Sequence, residues 1–165
     1  MSVKGVHEAI HAKYTAFHGD VKNKQTSSPI SAAMASCTSI TYVRNKLVGD
    51  PLDIIMFEAS GWTMTEQNLR HGLAAFSQIN GNERDIVLLK RFDFDSNLRL
   101  MSVICSDENL LNYYAYVKGS PETVASICDP RTLPCDFASV LKDYTSQGLR
   151  VLALATRQLE FQSEA

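Results

Sequence analysis

The sequence contains no apolar run long enough to cross a lipid bilayer. A membrane-spanning helix needs about 20 apolar residues in succession, whereas the longest apolar runs, at 86–89 and 151–155, have only the length of a strand. There is also no charged and then apolar leader at the N-terminus, and no Asn-x-Ser/Thr glycosylation site. Nothing in the sequence therefore predicts secretion or direct contact with a membrane.

Positive charge is not in excess either. The chain has 16 Lys and Arg against 18 Asp and Glu, so its formal net charge is 16 − 18 = −2. Domains that bind a nucleic-acid backbone usually carry a strong excess of basic residues, so we expect no nucleic-acid partner.

A chain of 165 residues, 45% of them hydrophobic, is long enough for one domain with its own core.

Glycine-rich phosphate loops and paired cysteines are missing as well. Neither G-x-x-x-x-G-K-[ST] nor G-x-G-x-x-G occurs, so a bound nucleotide would be held in some other way than by a glycine loop. The four cysteines, at positions 37, 105, 128 and 135, contain no C-x-x-C pair. We therefore expect free thiols, with Cys105, which lies in an apolar run, packing as a small apolar side chain.

Two short patterns permit catalytic interpretations. His7, Glu8 and His11 match H-E-x-x-H, which holds zinc when it lies on a helix, and a helix is predicted over Val6–Phe17. No third zinc ligand follows at the expected spacing, so a solvated polar segment is favoured. His71 could activate a cysteine, but nothing places it beside one, and structural thiols are favoured.

The remaining chain alternates helical patterns with predicted hairpins. Helices are expected to begin at Ser28-Pro29, Asp50-Pro51 and Ser120-Pro121 and to cover 136–147, because Ser or Asp before Pro is a typical helix start. Strands are expected over 40–43, 47–49, 86–95, 98–105, 113–118 and 149–156, and residues 69–82 resemble a loop. Because hairpins outnumber β-α-β units, the predicted fold class is α+β, a mainly antiparallel sheet flanked by helices.

A few residues in these elements could form a binding site. Lys118 and Gly119 end an aromatic strand, where a cation and close backbone approach suit an anionic or aromatic ligand. Taken alone, Lys118 is slightly more often a surface residue at a strand end, and Phe94 is more often a core residue than a stacking platform. Asp50 and Asp53, taken alone, would be a helix cap and a solvated charge.

Four motifs together are more specific than any of these residues. They are, in order, G-D-P-L-D at 49–53, F-D-S-N-L-R-L-M-S-V at 94–103, K-G-S-P-E at 118–122 and G-L-R-V-L-A-L-A at 148–155. This set resembles the nucleotide-binding (N) domain of P-type ATPases over about residues 29–160. The stretch G-D-P-L-D-x-x-M-F-E followed by Trp62 is similar to the type V subfamily, and Y-T-S-Q-G-L-R-V-L-A-L-A to its polyamine-transporter-like group B.

The resemblance implies an adenine site. Phe94 matches the aromatic residue that stacks on the base, and Lys118 and Gly119 match the lysine and glycine that line the pocket. Asp53 matches the acidic residue near the adenine amino group, with Asp50 in the preceding acidic position.

The resemblance also assigns three further positions. Arg99 and Met101 match the basic and apolar positions of the strand that follows the turn, and Arg150 matches an arginine that reaches toward the phosphates. Ser96 stands where many ion pumps carry an arginine. A site with so few enclosing groups is expected to bind ATP weakly.

The resemblance implies a module of a longer pump. The chain is expected to be a single N domain over 1–165, with an irregular or partly helical segment at 1–27. The motifs D-K-T-G-T, T-G-D and G-D-G-x-N-D do not occur, so ATP binding without hydrolysis is expected, with no catalytic residue or metal ligand of its own.

The implied partners belong to the parent pump. They are ATP, with Mg²⁺ accompanying the nucleotide, and the phosphorylation and actuator domains of the same chain, on the cytosolic face of an endosomal, lysosomal or similar internal membrane. The parent would be an ATP-driven cation translocase. The alternatives are a non-catalytic interaction module with this fold and, least favoured, a zinc hydrolase.

Overall fold

A computed structural model describes residues 9–10, 13–14, 29–66, 69, 72–79, 85–107 and 109–160 of the chain. Its helices and its mainly antiparallel strands confirm the α+β prediction. The helices are α1 (Pro29–Ser36), α2 (Pro51–Ser60), α3 (Pro121–Ile127) and α4 (Phe137–Ser146), with a short 3₁₀ helix at Pro130–Thr132. Within the described ranges, none of these helices has the length and apolar character that a bilayer crossing requires.

In the part of the chain that the structure describes, six antiparallel strands form the central sheet, and two short hairpins lie outside it. The sheet strands are β5 (Trp62–Thr65), β6 (Ala74–Gln78), β7 (Ile86–Asp95), β8 (Leu100–Asp107), β9 (Tyr113–Gly119) and β10 (Ala153–Leu159), and they lie side by side in this order. The hairpins are β1 (Ala9–Ile10) with β2 (Lys13–Tyr14), and β3 (Thr41–Val43) with β4 (Lys46–Val48). The sheet is thus a meander in which each strand pairs with its neighbour in sequence.

The helix expected over Val6–Phe17 is wrong for the residues that are described there. Ala9 pairs with Tyr14 and Ile10 with Lys13 as an antiparallel hairpin. A helix of about a dozen residues is marginal unless a neighbouring element buries one face. Local strand pairing therefore prevails over the weak helical pattern of this segment.

The loop expected over 69–82 is also wrong, since it contains strand β6. Ala74 and Phe76 are buried at 3% and 1% exposure, and the residues between and after them are half-buried. Small side chains hide this alternation in the sequence, and pairing with β5 on one side and β7 on the other supplies the missing strand preference.

Two strand boundaries differ from the expected ones. β8 begins at Leu100 rather than at position 98, because residues 96–99 form the turn. The Asp95 carboxylate holds this turn by accepting from the N–H groups of Asn97 at 2.7 Å and Leu98 at 3.2 Å. β10 occupies Ala153–Leu159 instead of 149–156, so the first apolar residues of that run precede the sheet.

The helix starts predicted at Asp50 and Ser120 are confirmed. The Asp50 carboxylate accepts from the Leu52 N–H at 2.8 Å, and the Ser120 hydroxyl accepts from the Thr123 N–H at 3.4 Å. Both helices continue with Pro at the first position, where a missing N–H costs nothing. Gly61 ends α2 in the left-handed conformation, with φ of 77°.

The inward face of α2 is broader than its apolar spacing indicates. Leu52 and Ile55, which have helical spacing with Met56 and Ala59, are only half-buried, whereas Asp53 and Phe57 are buried. The fully buried positions are Asp53, Met56, Phe57, Ala59 and Ser60. A charged residue therefore lies inside the fold, close to the start of the helix.

The core lies between the sheet and helices α1 and α2. Trp62 is 3% exposed, and its indole N–H donates to the Ser31 hydroxyl at 3.3 Å. The same cluster contains Phe57 and Phe76, whose rings meet edge to face at 6.3 Å. This packing fixes the face of the sheet that carries the candidate site.

Candidate functional site

A bulge in β7 brings Phe94 beside the middle of the sheet. Phe92 pairs with Ser102 and Asp95 with Leu100, so two residues of β7, at positions 93 and 94, stand opposite Met101 of β8. Met101 in turn pairs with Lys118 of β9. The bulge thus lengthens one strand locally and brings Phe94, Met101 and Lys118 into one row across three strands.

The three side chains of this row belong to one face of the sheet. Directly paired residues share a face and successive residues alternate, so Met101 and Lys118 lie together, while Leu100 and Ser102 face the other way. Phe94 precedes Asp95, the partner of Leu100, and therefore lies on the face of Met101. Two strand spacings separate β7 from β9, about 10 Å.

Exposure divides the row into a platform and a floor. Phe94 is 61% exposed, which makes the core position expected for an isolated phenylalanine wrong. Met101 is 2% exposed and Lys118 is 8% exposed. The surface position considered for Lys118 in isolation is therefore wrong as well. The row therefore has one exposed ring and, next to it, a buried apolar floor that ends at a buried cation.

Lys118 is held by Asp53 of α2. The ammonium donates to Asp53 Oδ1, and Asp53 Oδ2 accepts from the Ser39 N–H at 2.9 Å. The two side chains are only 9% and 8% exposed, so Asp53 is not the solvated charge that it would be in isolation. A buried pair of this kind requires both partners, because either charge alone would remain desolvated.

Ser39 is the residue of this group that sequence reasoning missed. It lies in the segment between α1 and β3, 14 positions before Asp53. Its contribution is a backbone N–H, which no side-chain pattern reveals. Only the approach of this segment to α2 in the fold brings the two groups together.

Arg99 lies in the turn rather than in the strand to which the resemblance assigned it. Its φ is 54°, a left-handed conformation that is uncommon outside glycine. Its N–H donates to the Asp95 carbonyl at 2.7 Å, and its own carbonyl accepts from the Ser120 N–H at 3.4 Å. The tip of the β7–β8 hairpin is thereby tied to the start of α3.

Gly119 makes this connection possible. A Cβ at Gly119 would lie 2.3 Å from the Arg99 carbonyl oxygen and 2.7 Å from Leu100 Cδ2. Backbone atoms cannot yield to such a contact without moving the hairpin tip. The glycine of the K-G-S-P-E motif is therefore required here by close packing of two backbone segments.

We predict that Gly119→Ala lowers the free energy of unfolding by about 1–3 kcal/mol, the usual cost of forcing extra volume into a packed site. Amide resonances at Arg99 and Leu100 should shift, which two-dimensional NMR would detect. Gly148→Ala is the matched control, since its Cβ meets nothing within 4 Å and only its φ of 74° is strained. Undisturbed Arg99 and Leu100 resonances in Gly119→Ala would contradict the packing argument.

Asp50 and Arg150 are exposed charges on segments next to the row. The exposed Asp50 carboxylate is engaged in capping α2. Arg150 is exposed in the segment before β10, four positions ahead of Leu154, which pairs with Lys118. The structure therefore brings together Phe94, Met101, Lys118, Gly119, Asp53 and Arg99, whereas the contact of Asp50 and Arg150 with a nucleotide stays a prediction.

The thiol below the row is not poised for nucleophilic chemistry. Cys37 is fully buried, with its Sγ 3.7 Å from the Met101 carbonyl oxygen and 3.9 Å from that of Tyr116. Burial raises its pKa to about 12, and the pKa of Cys105 to about 12 for the same reason. Both thiols stay protonated near neutral pH and act as core residues.

The metal and thiol–histidine interpretations gain no support from the described residues. Among residues 9–10, 13–14 and the later described ranges, no three His, Cys, Asp or Glu side chains are grouped as metal ligands. His7, Glu8, His11 and His71 lie outside the described residues. At Ala9–Ile10, inside the H-E-x-x-H motif, the backbone is a strand, whereas zinc ligation by this motif needs a helix.

Residues 30–165 match the family described as P-type ATPase, cytoplasmic domain N. This match covers most of the chain, and the chain belongs to that family.

The relatives narrow the assignment further. Polyamine-transporting ATPase 13A3 of Mus musculus is 38% identical over 159 residues, covering 81% of this chain. Polyamine-transporting ATPase 13A2 of Homo sapiens is 38% identical over 146 residues, covering 79%, and Probable cation-transporting ATPase 13A5 of Mus musculus is 37% identical over 145 residues, covering 81%. The expected placement in the type V subfamily, group B, is confirmed. The alignments cover only 12–13% of the relatives' own length.

Proposed function

We propose that this domain binds ATP by stacking the adenine on Phe94, over the floor formed by Met101 and beside Lys118. The single observation that carries the proposal is the 61% exposed ring of Phe94 on the same sheet face as a buried lysine, two strands away. An exposed aromatic ring next to an apolar floor favours a flat ligand, and base–aromatic stacking contributes about 1–3 kcal/mol.

The phosphates are proposed to extend away from the row, toward solvent. Arg99 at the hairpin tip and Arg150 before β10 are both exposed, so their guanidinium groups are free to approach a polyphosphate. Mg²⁺ would travel with the phosphates, since a nucleotide supplies oxygen ligands and this ion needs few from a protein. Few protein groups enclose the ligand, which supports weak binding.

In the full-length protein, this domain is proposed to present the γ-phosphate of ATP to a phosphorylation domain of the same chain, with an actuator domain as a further partner. The whole protein would be an ATP-driven translocase of a cation such as a polyamine, placed in an internal membrane with this domain on the cytosolic side. Support comes from membership of the P-type ATPase family and from the relatives named as polyamine-transporting ATPases. The domain alone is proposed to bind ATP without hydrolysing it.

The proposal is tested by titrating Mg·ATP into the isotope-labelled chain and following its amide resonances. We expect saturable shifts at Phe94, Met101, Lys118 and Gly119, with none in α4, whose residues 137–146 serve as the internal control. Phosphate release should stay at the background rate. A folded chain whose resonances do not respond to millimolar Mg·ATP would refute ATP binding and favour an interaction module with the same fold.

A further inference from the structure

Ser39 is an exposed residue in contact with the floor of the proposed nucleotide site. Its backbone N–H donates to Asp53 Oδ2 at 2.9 Å, and its hydroxyl donates to Met101 Sδ at 3.9 Å. Met101 belongs to the row that contains Phe94 and Lys118. The Ser39 side chain therefore adjoins the face of the sheet on which the adenine is proposed to lie.

Exposure indicates which of these side chains a ligand can reach. Met101 is only 2% exposed, so its thioether is covered by its neighbours. Ser39 is one of those neighbours, and it is open to solvent. A base that stacks on Phe94 over this floor would thus meet the Ser39 hydroxyl as well as the apolar surface.

The Ser39 hydroxyl is arranged to accept a hydrogen bond from a ligand. A serine hydroxyl has one O–H donor and two acceptor lone pairs, and here the donor is directed at Met101 Sδ. Among the described residues, no N–H or O–H group donates to this oxygen. Its lone pairs can therefore receive a donor from outside the chain, and the donor that an adenine base carries is its 6-amino group.

We propose that Ser39 Oγ accepts a hydrogen bond from the 6-amino group of adenine, which makes Ser39 a specificity-determining residue of the site. This inference rests on the proposed function. It leaves the role that the resemblance implies for Asp53 intact, because an amino group carries two N–H donors. Guanine has a 6-oxo acceptor in the same place, so the hydroxyl would have to turn away from Met101 to donate to it.

Removing the hydroxyl and removing the amino group should have the same effect. Dissociation constants are measured from amide shifts for the Mg²⁺ complexes of ATP and of purine riboside triphosphate, in which hydrogen replaces the 6-amino group. We expect Ser39→Ala to weaken ATP by about 2- to 12-fold, the range of one net hydrogen bond. Purine riboside triphosphate should change by less than about twofold, since it has no amino group to lose.

Ser39→Ala should fold normally, because it keeps the backbone N–H that Asp53 accepts. Ser146→Ala is the matched control, since it removes an exposed hydroxyl from α4 that donates to the Asp143 carbonyl at 2.9 Å. It should leave both dissociation constants unchanged.

The outcomes keep the inference apart from the proposed function. An unchanged ATP constant in Ser39→Ala overturns the inference and leaves ATP binding intact. Equal weakening of both nucleotides overturns it too, because the hydroxyl would then act on the ribose or on the shape of the site. Failure of both nucleotides to bind the unaltered chain refutes the proposed function and the inference with it.

Discussion

Asp53→Ala is expected to lower the free energy of unfolding by about 3–5 kcal/mol, the cost of leaving one charge of a buried pair without its partner. The substitution removes the carboxylate that accepts from Lys118 and from the Ser39 N–H. Lys118 is 8% exposed, so water cannot replace the lost partner without a local opening of the site. A domain of this size has a total stability of about 5–15 kcal/mol, so the loss is a large fraction of the whole.

Urea unfolding measures this loss directly. The chain contains one tryptophan, Trp62, and it is 3% exposed in the core, so its fluorescence reports global unfolding. Arg131→Ala is the matched control, since it removes an ion pair with Asp129 in which the arginine side chain is 89% exposed. No measurable change is expected for that variant, because exposed pairs contribute little.

The double variant Asp53→Ala/Lys118→Met distinguishes a lost charge partner from a lost packing contact. Removing both charges is expected to restore a large part of the stability, because no desolvated ion remains. A double variant that is less stable than Asp53→Ala alone would contradict the charge argument. It would indicate that the shape of Asp53, and not its pairing with Lys118, stabilises the fold.

Local sequence signals were sufficient where short-range hydrogen bonds decide the structure. Asp50-Pro51 and Ser120-Pro121 predicted two helix starts correctly, because a cap involves residues only two or three positions apart. β7 was predicted with its observed bounds, Ile86–Asp95, since its apolar and aromatic residues have strong strand preference. β6 escaped detection because its stability comes from pairing on both sides.

The candidate site depended on contacts that no local signal carries. K-G-S-P-E indicated Lys118, but its partners come from α2 and from the segment after α1, 65 positions away in the case of Asp53. The row itself arises from strand register, and the bulge that brings Phe94 opposite Met101 leaves no mark in the alternating pattern of 91–95. The family resemblance indicated the right residues, whereas the structure supplied the reasons for Gly119 and Asp53.

Phe94→Ala is expected to weaken the proposed ATP binding by about 5- to 150-fold, the equivalent of 1–3 kcal/mol of lost base stacking. The fold should be retained, since the ring is 61% exposed and contributes little to the core. The measurement is the dissociation constant of Mg·ATP from amide shifts at Lys118 and Gly119. Phe94→Tyr should keep most of the affinity, because its ring has the same stacking face.

Phe92→Ala is the matched control on the same strand. Phe92 is 46% exposed, lies two positions earlier and pairs with Ser102, so its ring faces away from Met101 and Lys118. The Lys90 ammonium lies 5.2 Å from the centre of the Phe92 ring. Loss of this contact should leave the geometry of Phe94, Met101 and Lys118 unchanged. ATP affinity is therefore expected to be unchanged in Phe92→Ala. Equal weakening by both substitutions would show that the hairpin as a whole, and not stacking on Phe94, governs binding.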